Sequence, residues 1–221
     1  MPRNSNSKIF FADRLDAAEQ LIDAMPIASL KERAVTVIAI SEGGVEIADR
    51  IARVLDAPMD ILLSAAIPAP NNPALPIAMI TETQTLVMNR AWVDAFEIDT
   101  DYVYGEAKRC YDEKVLSHVY RYRHGEPIRS VAGRVVILVD ECVETGITTL
   151  VAIKSMLEQE ATNVYLAVPI LDVAVKENLM PVCDGVYCPH MIQDYISIEY
   201  YYKTLEKPTF EAIERILEDH E

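Results

Sequence analysis

The chain has 221 residues, 51% of them hydrophobic and 25% charged, and its 20 Lys and Arg against 35 Asp and Glu give a formal charge of −15. That length and balance fit one globular domain with an embellishment, long enough to bury a core without disulfide or metal staples. Such a negative field opposes nucleic-acid backbones and anionic lipid head groups, so neither is an expected partner, and an anionic small substrate needs a local basic patch or a metal.

No stretch approaches the roughly 18 apolar residues of a membrane span. The opening Met-Pro-Arg-Asn-Ser-Asn-Ser-Lys has no apolar core behind its charges, so it does not read as a secretory signal and the expected compartment is the cytoplasm. Cys110, Cys142, Cys183 and Cys188 form no Cys-x-x-Cys pair. Cys183, Cys188 and His190 lack the second ligand pair and spacing of a zinc site, which leaves reduced, mostly buried thiols as the expectation.

Along the chain, Leu15, Ala18, Ile22 and Met25 recur at helical spacing. Residues 34–40 are nearly continuously apolar and β-branched, as in a parallel strand buried on both faces. Ser41-Glu42-Gly43-Gly44 breaks that run, Ala48, Ile51, Ala52 and Leu55 predict a helix, and 59–63 the next strand. A strand–helix–strand unit with short connections predicts a parallel sheet. Between Ser64 and Ser130 the rhythm pauses. Pro68, Pro70, Pro73 and Pro76 predict an irregular loop, 77–88 a short hairpin, and 101–122 a helix. This stretch, about 64–130, reads as a hood inserted over one end of the sheet within a single domain spanning 1–221. Residues 134–140 form the most strongly predicted strand; a polar loop, a helix through Leu150, Ile153 and Leu157, and a strand at 164–168 follow. A short helix at 173–179, a short strand at 186–188 and a closing helix at 208–217 complete the reading. The fold class is α/β, a doubly wound and mainly parallel sheet, whose ligands bind beyond the carboxyl ends of the strands.

Three loops at that end carry candidate chemistry. In the first, Asp140 and Glu141 stand at the end of a hydrophobic strand, and Glu144, Thr145, Gly146, Ile147, Thr148 and Thr149 open a helix. Helix-opening N–H groups suit an anion such as phosphate, and paired acids suit adjacent sugar hydroxyls. Phosphate and diol together suggest a ribose 5-phosphate; the competing reading is that the threonines merely cap the helix. The second loop is Ser41, Glu42, Gly43 and Gly44, either an anion-binding nest or a tight packing turn. The third is 64–68, with Ala65 and Ala66. Arg121 and Arg123 belong to a basic cluster with Lys108, Arg109, Lys114, His124 and Arg129, either a solvated face or a hood over phosphates. Tyr200, Tyr201 and Tyr202 suggest an edge or dimer surface.

Residues 136–149 resemble the phosphoribosyl pyrophosphate motif of type I phosphoribosyltransferases. Gly43-Gly44-Val45, 55–60, Ala69-Pro70-x-Asn72-Pro73 and Tyr120-Arg121-Tyr122-Arg123 extend the likeness to bacterial members without an assigned acceptor base, over nearly the whole chain. The resemblance implies that Asp140 and Glu141 bind the ribose hydroxyls and that 144–149 bind the 5-phosphate. It implies that Ser41, Glu42, Gly43, Gly44, Ala65 and Ala66 correspond to the pyrophosphate loops, with magnesium carried on substrate phosphates. Three positions that are commonly basic in the family are Glu42, Ala65 and Ala66 here. The expectations are a homo-oligomer, a homodimer in the first instance, serving nucleotide metabolism: a phosphoribosyltransferase, or a weakened relative that senses a nucleotide or ribose phosphate.

Overall fold

The computed structural model of the chain describes residues 9–220. In chain order the first part comprises α1 (Arg14–Asp23), α2 (Ile27–Lys31), β1 (Val35–Ala39), α3 (Val45–Leu55) and β2 (Met59–Ile61). The middle part comprises β3 (Ser64–Ala69), β4 (Asn72–Thr81), β5 (Leu86–Met88), α4 (Arg90–Ala95), α5 (Thr100–Cys110) and α6 (Leu116–Arg123), the last two joined by a π-helical turn at Tyr111–Val115. The last part comprises β6 (Val135–Val139), α7 (Ile147–Glu158), β7 (Asn163–Ala167), β8 (Ile170–Asp172), α8 (Val173–Leu179), β9 (Gly185–Tyr187), β10 (His190–Ile192) and α9 (Phe210–Glu218).

Five parallel strands form the central sheet in the order β2-β1-β6-β7-β9. Every residue of β1 and β6 is buried, because both faces of the sheet are covered. Val35, Val37 and Ala39 face a core shared with α1 and α3, while Ile38 and Leu138 face a core shared with α7. A fully buried Ile or Leu contributes about 1.5–3 kcal/mol, so each strand is anchored from both sides. Counted by the sheet's own strands the order is 2-1-3-4-5, and it reverses direction between β1 and β6. Ligands of doubly wound sheets bind at that reversal.

The middle of the chain departs from the loop that its prolines suggest. β3, β4 and β5 form an antiparallel sheet, with Pro68 paired to Pro76 where the register shifts. Proline is tolerated there because an irregular pairing does not require its missing N–H. This sheet shares the larger core through Ala65, Ile67 and Ile77, and packs Met79 against Ile147 and Val151 of α7. β8 and β10 form a further parallel pair that the sequence pattern does not reveal. Tyr201 and Tyr202 are buried against Phe11, so they belong to a small aromatic core and not to an edge or dimer surface. All four cysteines are free thiols; Cys110 is buried and the others are half-buried. Among the described residues no helix is long and apolar enough to cross a membrane.

Candidate functional site at the sheet reversal

The parallel register from Val35 with Val135 to Ala39 with Val139 makes β1 and β6 end together. The Ile40 N–H still donates to the Val139 carbonyl at 3.0 Å, and beyond it the two loops leave side by side. The Ser41 hydroxyl donates to Asp140 Oδ1 at 2.5 Å and accepts from the Gly44 N–H at 3.0 Å. The Glu141 N–H donates to the same Asp140 oxygen at 2.8 Å. Burial pushes the Asp140 carboxyl up to about 7, against the opposite pull of these two hydrogen bonds.

Glu141 stands nearer the surface and is held differently. Arg14, buried on the first turn of α1, donates from Nε to Glu141 Oε2 at 2.8 Å and from Nη1 to the Glu206 carbonyl. The Glu141 carboxylate lies over Gly43, where a Cβ would displace it, while a Cβ on Gly44 would come within 2.8 Å of the Val139 carbonyl oxygen, so Gly44 is the position the backbone itself reserves for glycine. The Tyr202 hydroxyl donates to the Glu141 carbonyl at 3.2 Å. The sequence reading did not assign Arg14 to the site. Its carboxylate partner is 127 residues away, and no local pattern signals such a pair.

After Glu141, the chain makes an isolated bridge from Val143 to Leu171, exposes Glu144 and Thr145, and enters α7 through Gly146 at φ 76°. A Cβ on Gly146 would come within 2.7 Å of Val175 Cγ1. Glycine is therefore needed for the left-handed turn and for packing against α8. No side chain caps α7, so the capping role considered for the threonines is not what the structure contains. The first-turn N–H groups of this 12-residue helix, with Ile147 and Thr149 buried and Thr148 half-buried, carry the positive end of the helix dipole at the close of the loop that Asp140 and Glu141 begin.

The other two candidate loops carry no basic side chain of their own. Glu42 accepts from the Tyr122 hydroxyl at 2.7 Å and lies 3.9 Å from the exposed Lys207 ammonium. Ala65 and Ala66 lie on strand β3 and not in a loop; Ala65 is buried and Ala66 exposed. Arg123 is buried and committed to Asp60 and Glu82, so it is neither part of a solvated face nor a free cation for a phosphate hood. An ion pair formed at that depth cannot release its cation without leaving two carboxylates uncompensated. Arg121 lies over the Phe210 ring, 4.1 Å from its centroid, in a cation–π contact. The helix that carries both arginines reaches the site through Tyr122 instead.

Among the described residues, no three or more His, Cys, Asp or Glu side chains converge as a metal cage. The available hard donors are the carboxylates of Asp140 and Glu141. Carboxylate oxygens are of the hard type that magnesium takes.

The sheet reversal of this α/β protein thus brings an acid pair and an uncapped, glycine-opened helix onto consecutive stretches of one loop. The chain belongs to the phosphoribosyl transferase domain family, whose model matches residues 7–187. Two Mycobacterium tuberculosis proteins, each bearing the name "Putative phosphoribosyl transferase", are 31% identical over 182 residues, 80% of this chain. The chain spans 40% of the length of those relatives. The crystal structure of TT1426 from Thermus thermophilus superposes with a TM-score of 0.81 at 29% identity, covering 96% of this chain and 99% of that one. A hypothetical protein from Neisseria gonorrhoeae, crystallised with bound ppGpp, shares the fold at a TM-score of 0.52 and 13% identity, covering 98% of this chain and 99% of that one.

Proposed function

We propose that the sheet reversal binds a ribose 5-phosphate moiety, carried by phosphoribosyl pyrophosphate or by a nucleotide, and that the chain transfers the phosphoribosyl group to a nitrogenous base. The observation that carries this reading is the loop from Asp140 to Thr149: two acids, then a left-handed glycine opening an uncapped helix. In this assignment the 5-phosphate lies on the N–H groups of 147–149, and the ribose hydroxyls donate to Glu141 and Asp140. The acceptor nitrogen's lone pair forms the new C1–N bond as the C1–O bond breaks, and pyrophosphate leaves with that electron pair. The protein contributes orientation and fixed dipoles to this displacement. Magnesium bound with the substrate would be held through Asp140 and Glu141, and would neutralise charge on the leaving group.

A second reading is supported by Glu42 and by Arg14, whose guanidinium is already paired with the Glu141 carboxylate that lies over Gly43. In that reading the pyrophosphate half of the site is weak and the chain senses a nucleoside monophosphate or ribose phosphate. Thermal denaturation with phosphoribosyl pyrophosphate plus magnesium, a nucleoside monophosphate, or ribose 5-phosphate separates the two. A ligand at 100 times its Kd adds about 2.7 kcal/mol, roughly 5–10 °C for a domain this size. The transferase reading expects the largest shift from phosphoribosyl pyrophosphate, and the sensor reading from the monophosphate. No shift with any of the three refutes both.

A further inference from the structure

Arg14 belongs to neither ligand loop, yet its side chain, 8% exposed, is spent on the site and on the segment beside it. Its Nε holds Glu141 Oε2 at 2.8 Å, its Nη1 holds the Glu206 carbonyl, and Glu46 lies 4.0 Å away. Glu141 keeps 21% of its side chain exposed, whereas Asp140 is buried beneath it. Glu141 is therefore the more accessible acid of the pair. Its Oε1 accepts no hydrogen bond among the described residues, while Oε2 is taken by Arg14. Gly43 leaves the space in which this carboxylate lies, and Tyr202 holds its backbone carbonyl.

A glutamate side chain has three rotatable bonds, and ordering it on binding carries an entropic cost. A charge-assisted hydrogen bond made before the ligand arrives removes that cost from the binding step. Arg14 is poorly suited to contact a phosphate itself, because Glu141 and Glu46 already balance its charge.

We infer that Arg14 is a positioning residue that fixes Glu141 over Gly43 with Oε1 presented to a sugar hydroxyl. This rests on the ribose 5-phosphate reading and adds to it the origin of sugar discrimination. A purely structural Arg14, tying α1 to the loop after β6, would alter stability without altering which sugar is preferred.

The test is calorimetry on the full chain with ribose 5-phosphate, 2-deoxyribose 5-phosphate and inorganic phosphate. The native protein is expected to prefer the ribose ligand over its deoxy analogue by about tenfold or more. Arg14→Gln should reduce that preference to under about threefold and leave inorganic phosphate affinity within about twofold. Arg14→Lys, which keeps a donor and the charge, should recover part of the preference. In a Glu141→Gln background, Arg14→Gln should change the preference no further. Gly43→Ala, which displaces the same carboxylate with Arg14 intact, supplies a second route should Arg14→Gln fail to fold, and should lower the preference as Arg14→Gln does. An unchanged preference in Arg14→Gln, or in Gly43→Ala if the former does not fold, overturns the inference, as does a parallel loss of phosphate affinity. Failure of the native protein to bind ribose 5-phosphate overturns the underlying reading, and this inference with it.

Discussion

Replacing Asp140 by Asn should make the protein's stability less sensitive to pH between 5 and 8. Burial raises the Asp140 carboxyl from an ordinary value of 3.8 to about 7. Below 3.8 the folded and unfolded chains are both protonated at this site. Between 3.8 and about 7 the folded chain retains a proton that the unfolded chain has lost, so stability falls as pH rises through that window. Above about 7 the loss is complete. From pH 5 upward roughly two pKa units remain, each worth 1.36 kcal/mol, so Asp140 should remove about 2–3 kcal/mol by pH 8. Asparagine keeps an oxygen to accept from Ser41 and from the Glu141 N–H, but it does not ionise. Its new amide hydrogens carry a desolvation cost of about 1–3 kcal/mol that is the same at both pH values. Melting of both proteins in metal-free buffer at pH 5 and pH 8 isolates the difference. The wild-type melting temperature should fall relative to the variant's by roughly 5–10 °C on going to pH 8. If the two proteins shift in parallel, Asp140 ionises without penalty and the account of its burial is wrong.

Three further outcomes follow from the same geometry. Gly146→Ala should destabilise the protein by about 1–3 kcal/mol through its left-handed backbone and its contact with Val175, and adding Val175→Ala should recover part of that loss in chemical denaturation. Equal stabilities of the single and double variants would remove the packing argument. Glu42→Arg with Ala66→Lys should raise the preference for phosphoribosyl pyrophosphate over ribose 5-phosphate by at least about tenfold, or 1.4 kcal/mol, at matched salt and magnesium. Ala65→Arg is left out of that pair because Ala65 is buried and a guanidinium there should cost stability. An unchanged ratio would mean that these positions do not face the pyrophosphate. Asp140→Asn with Glu141→Gln should weaken ribose 5-phosphate more than inorganic phosphate in calorimetry, because the carboxylates accept from hydroxyls and not from a phosphate anion; equal losses would indicate general loop damage.

The central sheet was legible because β1 and β6 are covered on both faces, which writes them into the chain as continuous apolar runs. The loops after β1 and β6 were legible for a related reason, since each begins where such a run stops, whereas the loop read at 64–68 is strand β3. The hairpin of β3 and β4 was hidden by Pro68 and Pro76, which read as loop until their irregular cross-strand pairing is seen. Arg123 and Arg14 were obscure because their carboxylate partners lie far along the chain, so neither charge carries a local mark of its fate. Arg123 reads as an available cation and is buried in ion pairs, while Arg14, which no local pattern assigns to the site, holds one of the two acids.

The central claim is that the loop from Asp140 to Thr149 receives a phosphorylated ribose. The most direct measurement is a titration of ribose 5-phosphate into the isotopically labelled chain, followed through backbone amide resonances. The account predicts saturable shifts of the Gly146, Ile147, Thr148 and Thr149 amides, with smaller shifts at Gly43 and Gly44. Saturable binding that leaves these amides unmoved, or no binding at millimolar ligand, would contradict it.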